Sequence, residues 1–535
     1  MHLLPILFVF VPIFTAIFIY LFKSDRLSWI VFVGQALLIG LFVYYVIEMP
    51  ADKTHLLVIG GTNQLIRISF YNDITSLSFI ALTLFMWLVI LLYTYNTNRK
   101  ENKFLFFLMF LEGIFLGLVQ TNDLFNMFVF LELIAILVTI LIAYKKTGSS
   151  FRAGIYYLLL NTVAAMMFLV GIILIYYTYG TINIQIVMQL MGENSESMTI
   201  KLAYILMLSG ISVKAALFPL FTWLPKAHGV AQSTISALLS GLVVKGALYM
   251  LIRINHQMFA LAEYQTSDML FWIGTTTALV GVMFALSQKD LKQILAYHTV
   301  SQVGIMVMGL SAMEGLSYIG GLMHIFNHAL FKSLLFLGAG IIIKAYQTKK
   351  VYEIRGVFRT MPWTAILLIV GMLSITGAPF FNGFVSKSLI KYEFKYDMIK
   401  MVLFTLINIG TVTSFIKFST ILFGPKQKIK YPRNYKQHIG MSLMALMCLL
   451  IGILYLWLGK SIYQIDLSYV HLFDVWSFLD YAIYLGIGYL FYRYVIHPDY
   501  KPTQKLREFS LTFENANFLF IAYIVTIGLV VILQK

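Results

Sequence analysis

Apolar residues run along this chain in about sixteen long blocks parted by short polar stretches. The first eight have cores at Leu3–Phe22, Leu27–Ile47, Ile74–Tyr95, Phe104–Val119, Leu124–Tyr144, Ile155–Tyr179, Leu202–Leu224 and Ser233–Ile252. The rest lie at Met269–Leu286, Gln293–Leu310, Leu316–Ile343, Trp363–Tyr392, Met401–Phe423, Met441–Leu458, Val475–Ile496 and Ala516–Leu533. Most are near the roughly 20 residues that a helix needs to cross a hydrocarbon layer. In lipid, backbone polar groups find partners only within the chain, so helices are the default. The pattern predicts an all-α polytopic membrane protein of about 14–16 transmembrane helices.

The polar stretches test that count. Bases gather after odd-numbered blocks: Lys23 and Arg26; Arg99, Lys100 and Lys103; Lys145, Lys146 and Arg152; Lys289 and Lys292. Further along come Lys344, Lys349, Lys350, Arg355 and Arg359, then Lys426, Lys428, Lys430, Arg433 and Lys436, then Arg493, Lys501, Lys505 and Arg507. Loops after even-numbered blocks hold acids such as Glu48, Asp52, Glu193, Glu196, Glu263, Asp268 and Asp466. By the positive-inside rule the odd loops are cytoplasmic and both ends of the sequence face outward. One loop dissents: Lys391, Lys395 and Lys400 follow block twelve, beside Glu393 and Asp397.

Composition agrees. The 535 residues are 60% hydrophobic and 12% charged, against about 25% charged in soluble domains. The net charge of +16 is mostly the loop bases that set topology, so no nucleic-acid partner is expected. The one cysteine, Cys448, leaves no internal disulfide and no cysteine-held cluster or zinc site. The first block lacks a basic leader and is long enough to span, so it reads as a retained helix.

Against this background the charges inside the blocks stand out. A charge at the bilayer centre costs roughly 2.5–3.5 kcal/mol on insertion scales. Lys214, Lys245, Lys332 and Lys387 all lie within apolar stretches, as does Glu132. The plain alternative for Glu132 is a structural ion pair; the functional reading is a proton-carrying carboxylate. Lys214 is followed by Pro219 and Pro225, and proline removes a donor and clashes with the preceding turn. Block seven is therefore expected to break just after Lys214, and broken helices at membrane depth often mark ion sites. Block twelve repeats the device, with Gly377, Pro379 and Gly383 ahead of Lys387. The alternative there is a lysine that snorkels to the interface.

Block eleven carries His324, His328 and Lys332, four residues apart and so on one helix face. Two histidines at that spacing are a start for zinc, but no HExxH pattern or third ligand follows. A proton relay fits better, since histidine titrates near neutrality. No metal, catalytic residue or cofactor is expected. Accessory candidates are His228, His298, Lys417 and Glu112, the last a further buried acid of unassigned role.

The spacing suggests a repeat. Glu132, Lys214 and Lys245 occupy the second, fourth and fifth of five blocks; His298, Lys387 and Lys417 occupy the same places in the next five. Five crossings are an odd number, so consecutive copies must be inverted. The expected division is 1–102, an N-terminal helix group; 103–253, the first five-helix repeat; 269–423, the second; and 439–535, the C-terminal helices with their extension.

At these residues the chain resembles the antiporter-like subunits shared by Mrp-type multisubunit Na+/H+ antiporters, respiratory complex I and membrane-bound hydrogenases. The carrying stretches are Asn122–Asn126 with Glu132, Lys214–His228, Ser236–Gly241 with Lys245, Leu295–Gly304, His324–Lys332 with Leu335–Gly340, and Phe384–Lys387. Within that family it looks most like the D-type subunits of the Mrp antiporters. The resemblance implies a fourteen-helix core with two inverted five-helix repeats and broken helices at blocks seven and twelve. It implies a Glu132–Lys214 pair, a hydrophilic axis through Lys245, His324 and His328, and an exit-side Lys387. It also implies partner membrane subunits and transport of protons, with Na+ as the exchanged ion. The chain runs about 75 residues past block fourteen, adding two expected spans.

Three other functions compete. The chain could be the proton-pumping membrane subunit of complex I or of a hydrogenase, with the electron chemistry elsewhere, since it has no flavin, nicotinamide or cluster motif. It could serve an inorganic-carbon uptake complex. A polytopic lipid or glycan enzyme would want acidic motifs on large outer loops, and no outer loop here is large.

Overall fold

In the computed structural model of the chain, residues 3–22, 29–50, 53–59, 68–98, 101–194, 197–260, 266–429, 434–470 and 472–533 are described. The topology-setting Lys23, Arg26, Asp52, Arg99, Lys100, Glu196, Glu263, Lys430 and Arg433 lie outside them.

Each apolar block contains helix. In chain order the elements are α1 (Leu4–Phe22), α2 (Ile30–Ile47), β1 (His55–Ile59), β2 (Ile68–Asn72), α3 (Ile74–Asn98), α4 (Asn102–Leu118), α5 (Leu124–Ala143), α6 (Gly148–Tyr179), α7 (Ile184–Asn194) and α8 (Met198–Lys214). Then come α9 (Trp223–Val230), α10 (Ser233–Leu238), α11 (Val244–Leu251), α12 (Thr266–Ser287), α13 (Leu291–Leu310), α14 (Gly315–Tyr346), α15 (Val357–Thr360), α16 (Pro362–Thr376) and α17 (Asn382–Glu393). The last are α18 (Met398–Ser419), α19 (Tyr435–Ile453), α20 (Tyr455–Ser461), α21 (Val475–Phe491), α22 (Lys501–Glu508) and α23 (Phe513–Leu533). Among the described residues, 11 helices are long and apolar enough to cross a membrane.

Short polar side chains set several helix starts by accepting the otherwise unpaired first backbone N–H groups. Asp123 accepts from Asn126 N at the start of α5. Thr147 and Ser150 form a reciprocal pair at α6, and Asp290, Asp397 and Asp474 cap α13, α18 and α21.

Two compact units form. The first comprises Met1–Ala215, Leu242–Gln265 and Phe513–Lys535; the second comprises Ala216–Gly241 and Thr266–Thr512. In the first unit α1 packs on α4, α5 on α6, and α6 on α8, while α23 lies along α8. Tyr523 of α23 donates to Ser212 Oγ (2.9 Å), two residues before Lys214. This unit also holds strands that the apolar-block pattern does not predict: β1 and β2 pair antiparallel, with Leu57 opposite Phe70. Each strand has only five residues, too short to register as a block. Among the described residues, these are the strands added to an otherwise helical arrangement. β2 also bonds to the α4–α5 connection, where Ser69, Asn122 and Asn183 join side chains at 3.0–3.3 Å.

In the second unit α12 and α13 pack closely against each other. A Cβ on Gly304 would lie 2.4 Å from the Gly274 carbonyl oxygen, so only glycine allows that approach. α14 runs through this unit against α13, α16, α17 and α19, and α21 packs on α18.

Candidate functional site

α8 ends at Lys214, Ala216 takes a left-handed φ of 57°, and the next helix begins at Trp223. Pro219 lies in the connection. Pro225 falls in the first turn of α9, where a missing N–H costs nothing. Lys214 is thus the last residue of α8, at the end where the helix dipole favours a cation. Its ammonium lies 3.6 Å from the Glu132 carboxylate on α5, with the lysine 6% and the glutamate 20% exposed. That separation is longer than the ~2.7–2.9 Å of a tight charge-assisted hydrogen bond. A cavity of about 20 Å³ adjoins Lys214, lined also by Tyr157 and Asn161 of α6. It has room for about one water.

Lys245 is fully buried in α11. A π-helical turn (Leu239–Val243) precedes it, and a second (Ile252–Met258) follows α11. Such turns are frequent at functional sites. The second one carries Arg253, whose guanidinium makes a two-pronged bond to Asp73 at 2.6 and 2.8 Å. Arg253 also donates to Ser76 Oγ (2.6 Å) and to the Tyr249 hydroxyl (2.8 Å), which in turn donates to the Val119 carbonyl. Burial pushes the Asp73 carboxyl up, but the Arg253 charge and its hydrogen bonds more than offset this and hold it below the usual carboxylate range. Sequence reasoning missed this pair. Arg253 did give a signal: it is a base directly after an even-numbered block, against the charge alternation.

Glu112 is completely buried on α4, and neither carboxylate oxygen makes a hydrogen bond among the described residues. The neighbouring Gln35 amide donates to the Leu84 carbonyl (3.0 Å).

In the second unit His324 joins α13, α14 and α17. Its Nε2 is 3.0 Å from Gln302 Oε1, and its Nδ1 is 2.9 Å from Ser386 Oγ. His328 follows one turn on, with ring centroids 6.4 Å apart. One turn further, Lys332 donates to the Leu295 carbonyl (2.5 Å). Ser386 is the residue before Lys387, so the histidine face of α14 meets the α17 turn that carries that lysine.

Lys387 is held by the break in block twelve. α16 ends at Thr376, and Gly377 turns the chain with φ 78°. Pro379 lies between the helices, and α17 starts at Asn382. A Cβ on Gly383 would lie 1.8 Å from the Ser374 carbonyl oxygen, which makes glycine obligatory there. Lys387 Nζ reaches back to donate to the Ile375 carbonyl (2.7 Å), at the negative end of α16.

The accessory candidates separate. Lys417 donates to the carbonyls of Ala285, Leu286 and Gln288 at 3.2, 2.6 and 2.8 Å, tying down the end of α12. An ammonium has three donors, and all are used there. His228 stacks on Phe336 at 4.7 Å. His298 is fully buried against Phe415, and neither ring nitrogen makes a hydrogen bond among the described residues.

Many long apolar helices, several of them ending beside buried lysines, define a multi-pass membrane protein. The family model described as NADH:quinone oxidoreductase/Mrp antiporter, transmembrane region, matches residues 121–417. The D-type Na+/H+ antiporter subunit of Alkalihalophilus pseudofirmus is 30% identical over 393 residues, covering 72% of this chain and 80% of that protein. The chain belongs to the NADH:quinone oxidoreductase/Mrp antiporter transmembrane family. In fold it is similar to a chain of the Mrp complex from Dietzia sp. DQ12-45-1b, with TM-score 0.77 at 21% identity over 95% of this chain and 100% of that one. It is also similar to a chain of the membrane-bound sulfane sulfur reductase, an archaeal respiratory complex, with TM-score 0.80 at 24% identity over 90% and 99%.

Proposed function

We propose that the chain is the proton-translocating subunit of a multisubunit Na+/H+ antiporter in the cell membrane, working with other membrane subunits. The observation that carries this reading is the Glu132–Lys214 pair, set where α8 stops. The similarity to a D-type antiporter subunit supports the choice of ions.

The chemistry follows from the pair. An ammonium beside a carboxylate keeps its proton, whereas one left alone in a low-dielectric interior releases it more readily. Movement of Glu132 relative to Lys214 therefore switches proton release. Lys245 and the Gln302–His324–Ser386 arrangement are further stations, with Lys332 and His328 on the same face of α14. Lys387 is the station at the far end of the path, where protons enter or leave. Proton-holding groups that sense each other's charge titrate as a set, so loading one favours release from the next.

Affinity purification of the chain from native membranes tests the assignment. Small hydrophobic antiporter subunits, without redox proteins, are the expected companions. Co-purifying iron–sulfur or nickel subunits would make it the pumping arm of a redox enzyme, and a carbonic-anhydrase-like partner would point to inorganic-carbon uptake.

A further inference from the structure

A cavity of about 300 Å³ opens in the second unit between α17, α18 and α21. Lys387 and Ser388 line one side; Asp474, Ser477, Asp480 and Tyr481 of α21 line another. By the alternation of basic loops, this end of α21 lies on the outer side of the membrane. α21 belongs to the stretch beyond block fourteen, which the proton stations proposed for this chain do not use.

The extension is tied to this cavity by polar contacts. Asp480 pairs with Lys391 at 2.6 Å. Tyr481 OH lies 2.9 Å from Thr376 Oγ1, at the end of α16 where Lys387 is anchored. Lys391 is four residues from Lys387, on the same face of α17. The three lysines that broke the charge alternation are accounted for locally. Lys391 is met by Asp480, Lys400 lies 3.5 Å from Asp268, and Lys395 sits 4.1 Å above the Tyr392 ring.

We propose that this cavity is the outer mouth through which Lys387 exchanges its proton with water, and that Asp480 on α21 is a positioning residue that keeps Lys391 neutralised beside it. The inference rests on the proposed function and adds a role for the extension. Two ammonium groups one turn apart disfavour each other's charged form. With Asp480 in place, Lys391 is compensated and Lys387 takes up its proton from the outer side. Without it, Lys391 opposes that uptake.

The other groups facing Lys387 set the background. On its own element these are Lys391 and Tyr392, with Lys395 just past its end; on α21 they are Tyr481 and Tyr484, with Asp474 at its cap. From α14, His324 reaches the same turn through Ser386, and α19 brings Cys448 near Asn382 at the start of α17. α18 contributes the uncharged Asn408. Asp480 is thus the acid that pairs directly with a lysine of this face.

The test uses the whole complex in native membranes. In a Cys448→Ala background, Ser388→Cys is treated from outside intact cells with a membrane-impermeant thiol reagent. Labelling is expected, and failure to label while an exposed outer position such as Tyr469→Cys reacts would overturn the mouth. Labelling needs no transport, so it speaks even if the antiporter reading fails. In exchange assays, Asp480→Asn is expected to slow proton uptake from the outer side several-fold at neutral pH and to move its outer pH profile to lower pH. Asp480→Glu and the double variant Asp480→Asn/Lys391→Met are expected to restore the profile. An unmoved profile in Asp480→Asn, or a shift that persists in the double variant, would show that Asp480 has only a packing role and overturn the assignment.

Discussion

The Glu132 carboxylate lies 3.6 Å from the Lys214 ammonium, at the residue where α8 ends and the backbone turns away. One partner sits at a helix terminus next to a cavity of water size, and the other is partly exposed. The proposed switch requires this pair to part and re-form. The start of α5, the helix that carries Glu132, is meanwhile held by Asp123 and the Ser69–Asn122–Asn183 knot.

The Asp73–Arg253 clamp is structural and acid-sensitive. Asp73 is lowered in the folded state, so its contribution is present above the unfolded carboxylate pKa of about 3.9 and is lost as pH falls through the lower folded value. Asp73→Asn is expected to destabilise the protein at pH 7 by on the order of 3–5 kcal/mol, because it leaves the buried Arg253 charge uncompensated. Thermal unfolding of the solubilised protein should show the gap between wild type and variant closing as pH is taken below about 4.

Lys417 and His324 should behave differently. Lys417 spends its donors on three carbonyls at the end of α12. Lys417→Met is expected to lower the thermal midpoint while leaving exchange per folded molecule near that of wild type. His324→Ala breaks the link between Gln302 and Ser386 and is expected to slow exchange even in well-folded protein. Exchange rates normalised to folded protein separate the two.

The break in block twelve depends on its glycines. Gly383→Ala places a methyl against the Ser374 carbonyl and is expected to abolish accumulation of folded protein. Gly377→Ala meets no clash at that distance but strains a φ of 78°, at a cost of roughly 1–2 kcal/mol. Gly486→Ala on α21 has open space and serves as the neutral control. Folded yield, read by size-exclusion chromatography of the solubilised protein, should rise from the first of the three to the last.

Much of this was legible in the sequence, for a physical reason. Lipid demands long apolar helices, so the blocks declare themselves, and a lysine inside one is costly enough to be conspicuous. Pro219 and the Gly377–Pro379–Gly383 run announce the ends of α8 and α16 because their backbone chemistry is local. What escaped notice depends on distance or on geometry without a local code. Asp73 and Arg253 are far apart in sequence and meet only through folding. The π turns around α11 use ordinary helix-forming residues. Lys417 and Lys387 look alike in sequence, yet one ties down the end of a helix and the other faces a cavity.

The most direct test of the central claim is Na+/H+ exchange in everted membrane vesicles bearing Glu132→Gln or Lys214→Met, compared with wild type at equal levels of assembled complex. Loss of exchange to background in both variants, with the complex intact, is the expected result. Full exchange in Lys214→Met would contradict the account.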